Sequence, residues 1–398
     1  MPSAVYLDHA ATTPVRPEAR DAMLPYLGAE AFGNPSSPHR FGRAARAGLE
    51  QARRQVAAAV GAEPAQVLFT SGGTEADNLA VLGLALAMRH RGELAHVATP
   101  GTEHKAVLAA AHAVAVFDGR ETLLPVGRDG LLDLAALDEA LAAPAAERPT
   151  LVSVMWVNNE TGVVQPIGEI ARRCRAAGVR FHTDAVQAFG NRALGFRELD
   201  CDLLSVSAHK IGGPKGVGAL VAREPKLLEP LIHGGGQQGG VRPGTENIAG
   251  AVGFGAAAEL AARERPAHVA RLAALRARLR DALVAAVPDA SVTVDGDASR
   301  DMQAPHILSL CVPGADSEAL LMHMDLAGVA VSSGSACTTG AVEPSHVLTA
   351  MGVPRELAIG AIRFSLGRAT TDADVNSAAA VFPEVVAKVR ALAGVLGR

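Results

Sequence analysis

Leu203-Leu204-Ser205-Val206-Ser207-Ala208-His209-Lys210, running on into Ile211-Gly212-Gly213-Pro214-Lys215-Gly216, is the stretch on which the fold turns. Its first five residues read as a strand, and a lysine follows almost at once inside a glycine-rich turn. Most lysines solvate a surface, so one at the mouth of an apolar strand is oddly placed. An amine deprotonated by its surroundings is a nucleophile toward carbonyl carbon.

Outward from that stretch, short apolar runs recur at 66–70, 96–99, 114–117, 151–157, 180–183 and 218–222. Helical patterns at 75–89, 104–113, 133–142 and 167–177 fall between several of them. The runs are continuous rather than alternating, as in strands buried on both faces, and their alternation with helices predicts a mostly parallel α/β sheet. Ligands of such sheets gather beyond the carboxyl ends of the strands, so the residues that follow each strand are the candidates.

Ser71-Gly72-Gly73-Thr74-Glu75-Ala76-Asp77 follows the first strand and opens a helix. Glycines admit a ligand close to backbone amides, and a helix N-terminus favours phosphate. Thr74 and Asp77 also fit a capping box, which leaves a plain capped helix as the alternative. The motif is neither a P-loop nor a dinucleotide fingerprint, which weighs against a nicotinamide oxidoreductase. Asp184 ends the strand at 180–183, as a ligand-facing carboxylate or as a helix cap. His104 stands at a strand-to-helix turn, as a ring that stacks or shuttles protons or as a cap. Phosphate site, strand-end Asp184 and strand-end Lys210 thus lie in chain order on one sheet. These are the three contacts that pyridoxal phosphate requires: a phosphate cradle, a pyridinium partner and an amine that joins its aldehyde.

Of the four cysteines, Cys337 lies in Val331-Ser332-Ser333-Gly334-Ser335-Ala336-Cys337-Thr338-Thr339-Gly340. That stretch is small and polar, without apolar neighbours to bury a thiol, and predicts an accessible reactive sulfur. Cys174, Cys201 and Cys311 read as structural, although the arginines beside Cys174 point to a lowered pKa there. Neither the cysteines nor the 13 histidines follow a metal-ligand spacing, so no metal site is expected.

The chain has 398 residues with 49% hydrophobic, 20% charged and only 3% aromatic side chains, and aliphatic residues and alanine must therefore fill a sizeable core. A net charge of −4 argues against direct nucleic-acid binding. No apolar run is long enough for a membrane span and the N-terminus has no signal-like core, so a cytoplasmic protein is expected. After a glycine-rich loop at 233–244 come helical patterns at 246–262 and 266–286. Strands are then expected at 291–294, 306–312, 329–331 and 362–366, and helices at 317–326 and 372–396. The expected units are an N-terminal segment (1–15) near the active site, a large domain (16–260), and a smaller α+β C-terminal domain (261–398) carrying the reactive loop at 332–346.

Motifs along nearly the whole chain resemble the cysteine desulfurases of the NifS/IscS type, class V aminotransferases within the fold-type I pyridoxal phosphate enzymes. They include Tyr6-Leu7-Asp8-His9-Ala10-Ala11-Thr12-Thr13-Pro14, Gly33-Asn34-Pro35-Ser36-Ser37, Phe69-Thr70-Ser71-Gly72-Gly73-Thr74-Glu75, Thr102-Glu103-His104-Lys105 and Val157-Asn158-Asn159-Glu160-Thr161-Gly162. His182-Thr183-Asp184-Ala185-Val186-Gln187, Ser207-Ala208-His209-Lys210, His233-Gly234-Gly235-Gly236-Gln237, Arg242-Pro243-Gly244-Thr245, Ser332–Thr338 and Ile362-Arg363-Phe364-Ser365-Leu366-Gly367-Arg368 continue the series. The resemblance implies a fold-type I α/β enzyme with a mostly parallel seven-stranded sheet. It implies that Lys210 binds pyridoxal phosphate covalently and moves the substrate Cα proton, with Asp184 on the pyridine nitrogen, Gln187 on the ring hydroxyl and His104 stacked on the ring. Gly73, Thr74, Ser207 and His209 would hold the phosphate, joined by Thr245 from a neighbouring subunit of a homodimer. Asn159 would lie near ring and substrate, Arg363 would bind the carboxylate of L-cysteine, and Cys337 would carry the sulfur as a persulfide. The sulfur would pass to an acceptor for iron–sulfur assembly or for tRNA or cofactor thiolation. Selenocysteine lyase, another class V reaction, and an inactive protein that only docks sulfur acceptors remain the alternatives. Ala208 and Gly212 stand where such proteins often carry Gly and Tyr, and Pro243 where many carry Ser.

Overall fold

The computed structural model describes residues 4–294, 302–333 and 343–396. The chain opens with β1 (Val5–Tyr6), α1 (Pro17–Leu27), α2 (Arg40–Val60) and β2 (Val67–Thr70). α3 (Gly73–Asn78) and α4 (Leu84–His90) are joined by a π-helical turn at Leu79–Gly83. Then come β3 (His96–Pro100), α5 (Lys105–Ala113), β4 (Arg120–Leu124), α6 (Leu134–Ala142), β5 (Leu151–Ser153), α7 (Ile167–Ala176), β6 (Arg180–Asp184), β7 (Leu203–Ser207) and β8 (Gly218–Ala222). The remainder is α8 (Ile248–Ala286), β9 (Ser291–Val292), β10 (Ile307–Cys311), α9 (Ser317–Leu326), β11 (Val329–Ala330), α10 (His346–Ala350), α11 (Arg355–Ala358), β12 (Ala361–Ser365) and α12 (Asp372–Leu396).

Seven strands form one sheet in the order β2-β8-β7-β6-β5-β3-β4. All neighbours are parallel except β8, which runs antiparallel to β2 and β7. Strands β2, β3, β5, β7 and β8 are buried at every position, because helices cover both faces. Phe181, Phe196 and Phe254 are fully buried on one face, each contributing about 1.5–3 kcal/mol through its apolar surface. The other face packs Leu68, Val97, Leu151 and Leu220 against the α3–α4 rod and α5. A three-stranded antiparallel sheet, β12-β10-β9, forms a second core with α9, α12 and the C-terminal half of α8. β1 pairs with β11 of that second unit.

Two elements differ from expectation. Residues 114–117 are a 3-10 turn continuing α5, not a strand. They are β-branched in part, but no breaker separates them from the helix until Asp118 turns the chain with φ 62°, and the edge strand forms only at Arg120. The expected helices 246–262 and 266–286 are one 39-residue helix, α8, with Pro266 inside it. Pro266 is exposed, so the carbonyl deprived of its N–H partner turns toward water and the helix continues. Residue 260 therefore falls within a helix whose first half (Ala251, Phe254, Ala258) belongs to the large core and whose second half (Leu272, Leu279, Leu283) belongs to the second.

Candidate active site

The site lies beyond the carboxyl ends of β2, β6 and β7, where the N-terminal segment crosses them. Ser71–Glu75, Ser207, His209, Lys215, Gly216, Ala11 and Thr12 line a cavity of about 400 Å³. The helix above it begins at Gly73, with Gly72 rather than Thr74 as its cap, which corrects the Thr74–Asp77 capping box. Glu75 accepts instead from the amide of Ser71 at 2.7 Å and from Arg242 at 2.7 Å, so its charge is turned to those donors. β8 presses closely on this loop: a Cβ on Gly218 would lie 2.7 Å from the Gly72 carbonyl carbon. The Ser207 hydroxyl is buried without a hydrogen-bond partner, and a buried hydroxyl in that state marks a missing ligand atom or water. His209 holds Thr12 Oγ1 at 3.1 Å, and burial lowers its pKa to about 4.

Lys210 donates to the carbonyls of Ala10 and, at 2.8 Å, Ala11. Burial, with Arg363 adding repulsion, lowers its pKa to about 8, against the pull of Asp184 and Asp8. About a tenth of the amine is thus neutral and nucleophilic at pH 7, against far less for an ordinary lysine. Asp184 is 5% exposed and accepts from the amide of Val186 at 2.9 Å, so it is a local cap as well. Burial raises its pKa, while His104 and Lys210 favour its charged form. His104 is exposed and caps α5 through the amide of Ala106 at 3.1 Å. Gln187 donates to Ala10 O at 2.9 Å and lies 3.3 Å from His306 Nε2.

Arg363, on β12, reaches this place from the second unit. It is 4% exposed, donates to Asn159 O at 2.7 Å, and pairs with Asp8 at 2.8 Å. Gly73, Thr74, Ser207, His209, Lys210, Asp184, Gln187, Asn159 and Arg363 are therefore gathered by β2, β6, β7, β12 and the loop after β5. Thr245 is exposed and does not line the cavity of its own chain. Cys337 lies outside the described residues. The chain leaves toward it from Ser332, whose backbone pairs with Arg363. It returns at Ser345, which donates to Glu160, and His346, which lies 2.9 Å from Glu103 O.

The other cysteines are buried and free. Cys174 is structural like the other two: burial, with Asp202 adding repulsion, raises its pKa to about 12, and the arginines beside it do not lower it. Sequence spacing gave no sign of the groups beneath the site. Asp77 and Glu103 are buried carboxyls pushed well above the usual range by burial and by Asp184. His182 is neutral between Ser153 and Ser205, its pKa lowered to about 3 by burial. Gly212 takes φ +83°, and a Cβ there would meet Arg16 Cγ at 2.5 Å. The departure from Tyr makes room for Arg16 to reach Ile211 O at 3.2 Å and Glu264 at 2.7 Å.

Among the described residues no helix is long and apolar enough to cross a membrane, and no cluster of His, Cys, Asp or Glu has metal-binding geometry. Residues 5–377 match the Aminotransferase class-V family. A protein named cysteine desulfurase IscS from Dictyoglomus turgidum is 44% identical over 392 residues, covering 98% of this chain and 97% of its own. Among solved structures, a NifS-like protein is 32% identical with a TM-score of 0.88, over 97% of this chain and all of its own. A protein named SspA, solved in complex with cysteine, is 32% identical with a TM-score of 0.77, over 91% of this chain and 98% of its own. End-to-end similarity on this scale, joined to the strand-end arrangement above, means that the chain belongs to the class V aminotransferase family, among the cysteine desulfurases of the NifS/IscS type.

Proposed function

We propose that the protein converts L-cysteine to L-alanine with pyridoxal phosphate, its sulfur passing to Cys337 as a persulfide. The observation that carries this reading is the set of three fixed contacts at the ends of the neighbouring strands β6 and β7. They are the unpartnered Ser207 hydroxyl in the phosphate-sized cavity, the buried Asp184 carboxyl, and the Lys210 amine lowered to about 8. These fit the coenzyme's phosphate, pyridine nitrogen and aldehyde in turn. When bound, the coenzyme supplies an electron sink that acidifies the substrate Cα–H and loosens the Cβ–S bond.

The chain's own residues do the rest. Gly73, Thr74, Ser207 and His209 hold the phosphate, with Thr245 of a neighbouring subunit. Asp184 keeps a proton on the pyridine nitrogen. Gln187 keeps one N–H for the ring hydroxyl after giving the other to Ala10. His104 covers the ring, with Asn159 beside the substrate. Lys210 takes the Cα proton, and Arg363 grips the substrate carboxylate. The Cys337 thiolate attacks the substrate sulfur: one S–S bond forms, one C–S bond breaks, and the carbon fragment is protonated to alanine. Both ends of the Cys337 segment are tied beside Arg363, Glu103 and Glu160, which supports delivery of that sulfur into the site. A homodimer passing sulfur to an acceptor protein for iron–sulfur assembly or thiolation completes the reading. A cytoplasmic location agrees with three buried free thiols.

An absorbance spectrum of the purified protein with and without L-cysteine, followed by mass spectrometry, tests this. The expected results are a visible band that L-cysteine perturbs and one added sulfur on Cys337. Lys210→Ala removes band and turnover. Cys337→Ser keeps the band and forms no persulfide; alanine and sulfide released at the normal rate by that variant would refute the sulfur-carrier role.

A further inference from the structure

Arg363 has a carboxylate partner within its own chain, Asp8 of the N-terminal segment. We infer that Asp8 is a positioning residue: it fixes the Arg363 guanidinium in the orientation that receives the substrate carboxylate. The inference rests on Arg363 being the carboxylate-binding residue.

A guanidinium has five N–H donors. Two are engaged: Nη1 donates to Asn159 O at 2.7 Å and Nη2 to Asp8 Oδ1 at 2.8 Å. Nε is buried with no partner. One N–H therefore remains on each terminal nitrogen, the pair that grips a carboxylate with two parallel bonds. The two existing acceptors come from different elements, so they fix rotation about the last side-chain bonds. Asp8 itself is held firmly. It bridges to Ser365 on β12, two residues along the same strand face from Arg363, and its carbonyl accepts from Tyr6 Oη at 3.0 Å. His9 N and Ala10 N bond to Ser365 at 3.2 and 2.9 Å. Side-chain exposures of 5% for Arg363 and 21% for Asp8 keep the pair largely out of water, where such a contact is weakly screened. The same carboxylate offsets the repulsion of Lys210 by Arg363, so Asp8 touches the site's geometry and its electrostatics together.

The test compares the full-length loaded wild type with Asp8→Ala and Asp8→Asn. A guanidinium left unheld loses uniform binding of the carboxylate, so Asp8→Ala should raise KM for L-cysteine about tenfold with kcat nearly unchanged. Asp8→Asn keeps an acceptor without the charge and should recover most of that loss. A second readout uses apo-protein: the pH midpoint for uptake of pyridoxal phosphate should fall in both variants alike, because both lack the charge that favours protonated Lys210. An unchanged KM in Asp8→Ala overturns the proposal, as does tighter cysteine binding in Asp8→Asn, which would make Asp8 a competitor of substrate. Loss of melting temperature and kcat with KM unmoved also overturns it, in favour of a role in folding. If wild type takes up coenzyme and turns over no cysteine, the desulfurase reading itself fails; if wild type is active and Asp8→Ala keeps a normal KM, only the Asp8 proposal fails.

Discussion

The reactivity proposed for Lys210 depends on what surrounds its nitrogen. Burial and Arg363 oppose its charge, and Asp184 and Asp8 together restore only part of it, leaving a pKa of about 8 against the ordinary 10.5. The neutral amine is the reactive form, so coupling of pyridoxal phosphate to apo-protein should accelerate with rising pH through a midpoint near about 8, as followed by absorbance; a midpoint near 10.5 would contradict the burial argument. Ser207 makes a complementary prediction. Its hydroxyl has no protein partner, so Ser207→Ala should leave apo-protein stability nearly unchanged while weakening coenzyme retention about tenfold, as expected for one hydrogen bond to a charged group. Equal retention in a dialysis assay would mean the hydroxyl faces no phosphate. Lys210 and Asp184 were legible in the sequence because each sits at or just past the end of an apolar strand, whereas Ser207 and Gln187 came only from the resemblance of their motifs. Asp8, Asp77, Glu103 and His306 were not legible, because their significance depends on which distant segment lies against them.

At the scale of elements, the loop proposed to hold the phosphate is shaped by the strand beside it. Strand β8 runs against its neighbours, and its first residue, Gly218, has the Gly72 carbonyl carbon and Val206 O each 2.7 Å from where a Cβ would stand. Backbone on both sides has no room to yield. Gly218→Ala should therefore cost about 1–3 kcal/mol of stability, read by denaturant titration, and should also weaken coenzyme retention by displacing the loop. Stability lost with retention intact would separate the strand from the loop. Six of the sheet's seven strands were legible as continuous apolar runs, and its mostly parallel order from their alternation with helices. The strand at 120–124 was hidden because its residues are mostly exposed at the sheet edge, while the apolar 114–117 beside it is helical. The single helix α8 was hidden by Pro266, which normally marks a first turn and here lies mid-helix on a wet face.

In the whole molecule, the site joins two cores: the large sheet supplies the lysine, the aspartate and the phosphate loop, and the second unit supplies Arg363 and both ends of the Cys337 segment. Helix α8 runs through both cores, with Phe254 and Ala258 in one and Leu272, Leu279 and Leu283 in the other. Leu279 is fully buried, so Leu279→Ala should cost about 2–5 kcal/mol and, through the shared helix, lower the melting of the entire protein as one calorimetric transition. A second, unshifted transition would show the units to be independent. The change of unit expected near residue 260 falls within α8, between Ala261 of the first core and Leu272 of the second; that one helix joins the two was not legible, because Pro266 reads as a helix start.

The covalent address of the coenzyme tests the account most directly. The chain has only five lysines, at 105, 210, 215, 226 and 388, so borohydride reduction of the loaded protein followed by peptide mass spectrometry gives an unambiguous answer. The account predicts the reduced coenzyme on Lys210 alone. Coenzyme fixed to any of the other four, or L-cysteine turned over by a protein with none fixed at Lys210, would contradict it.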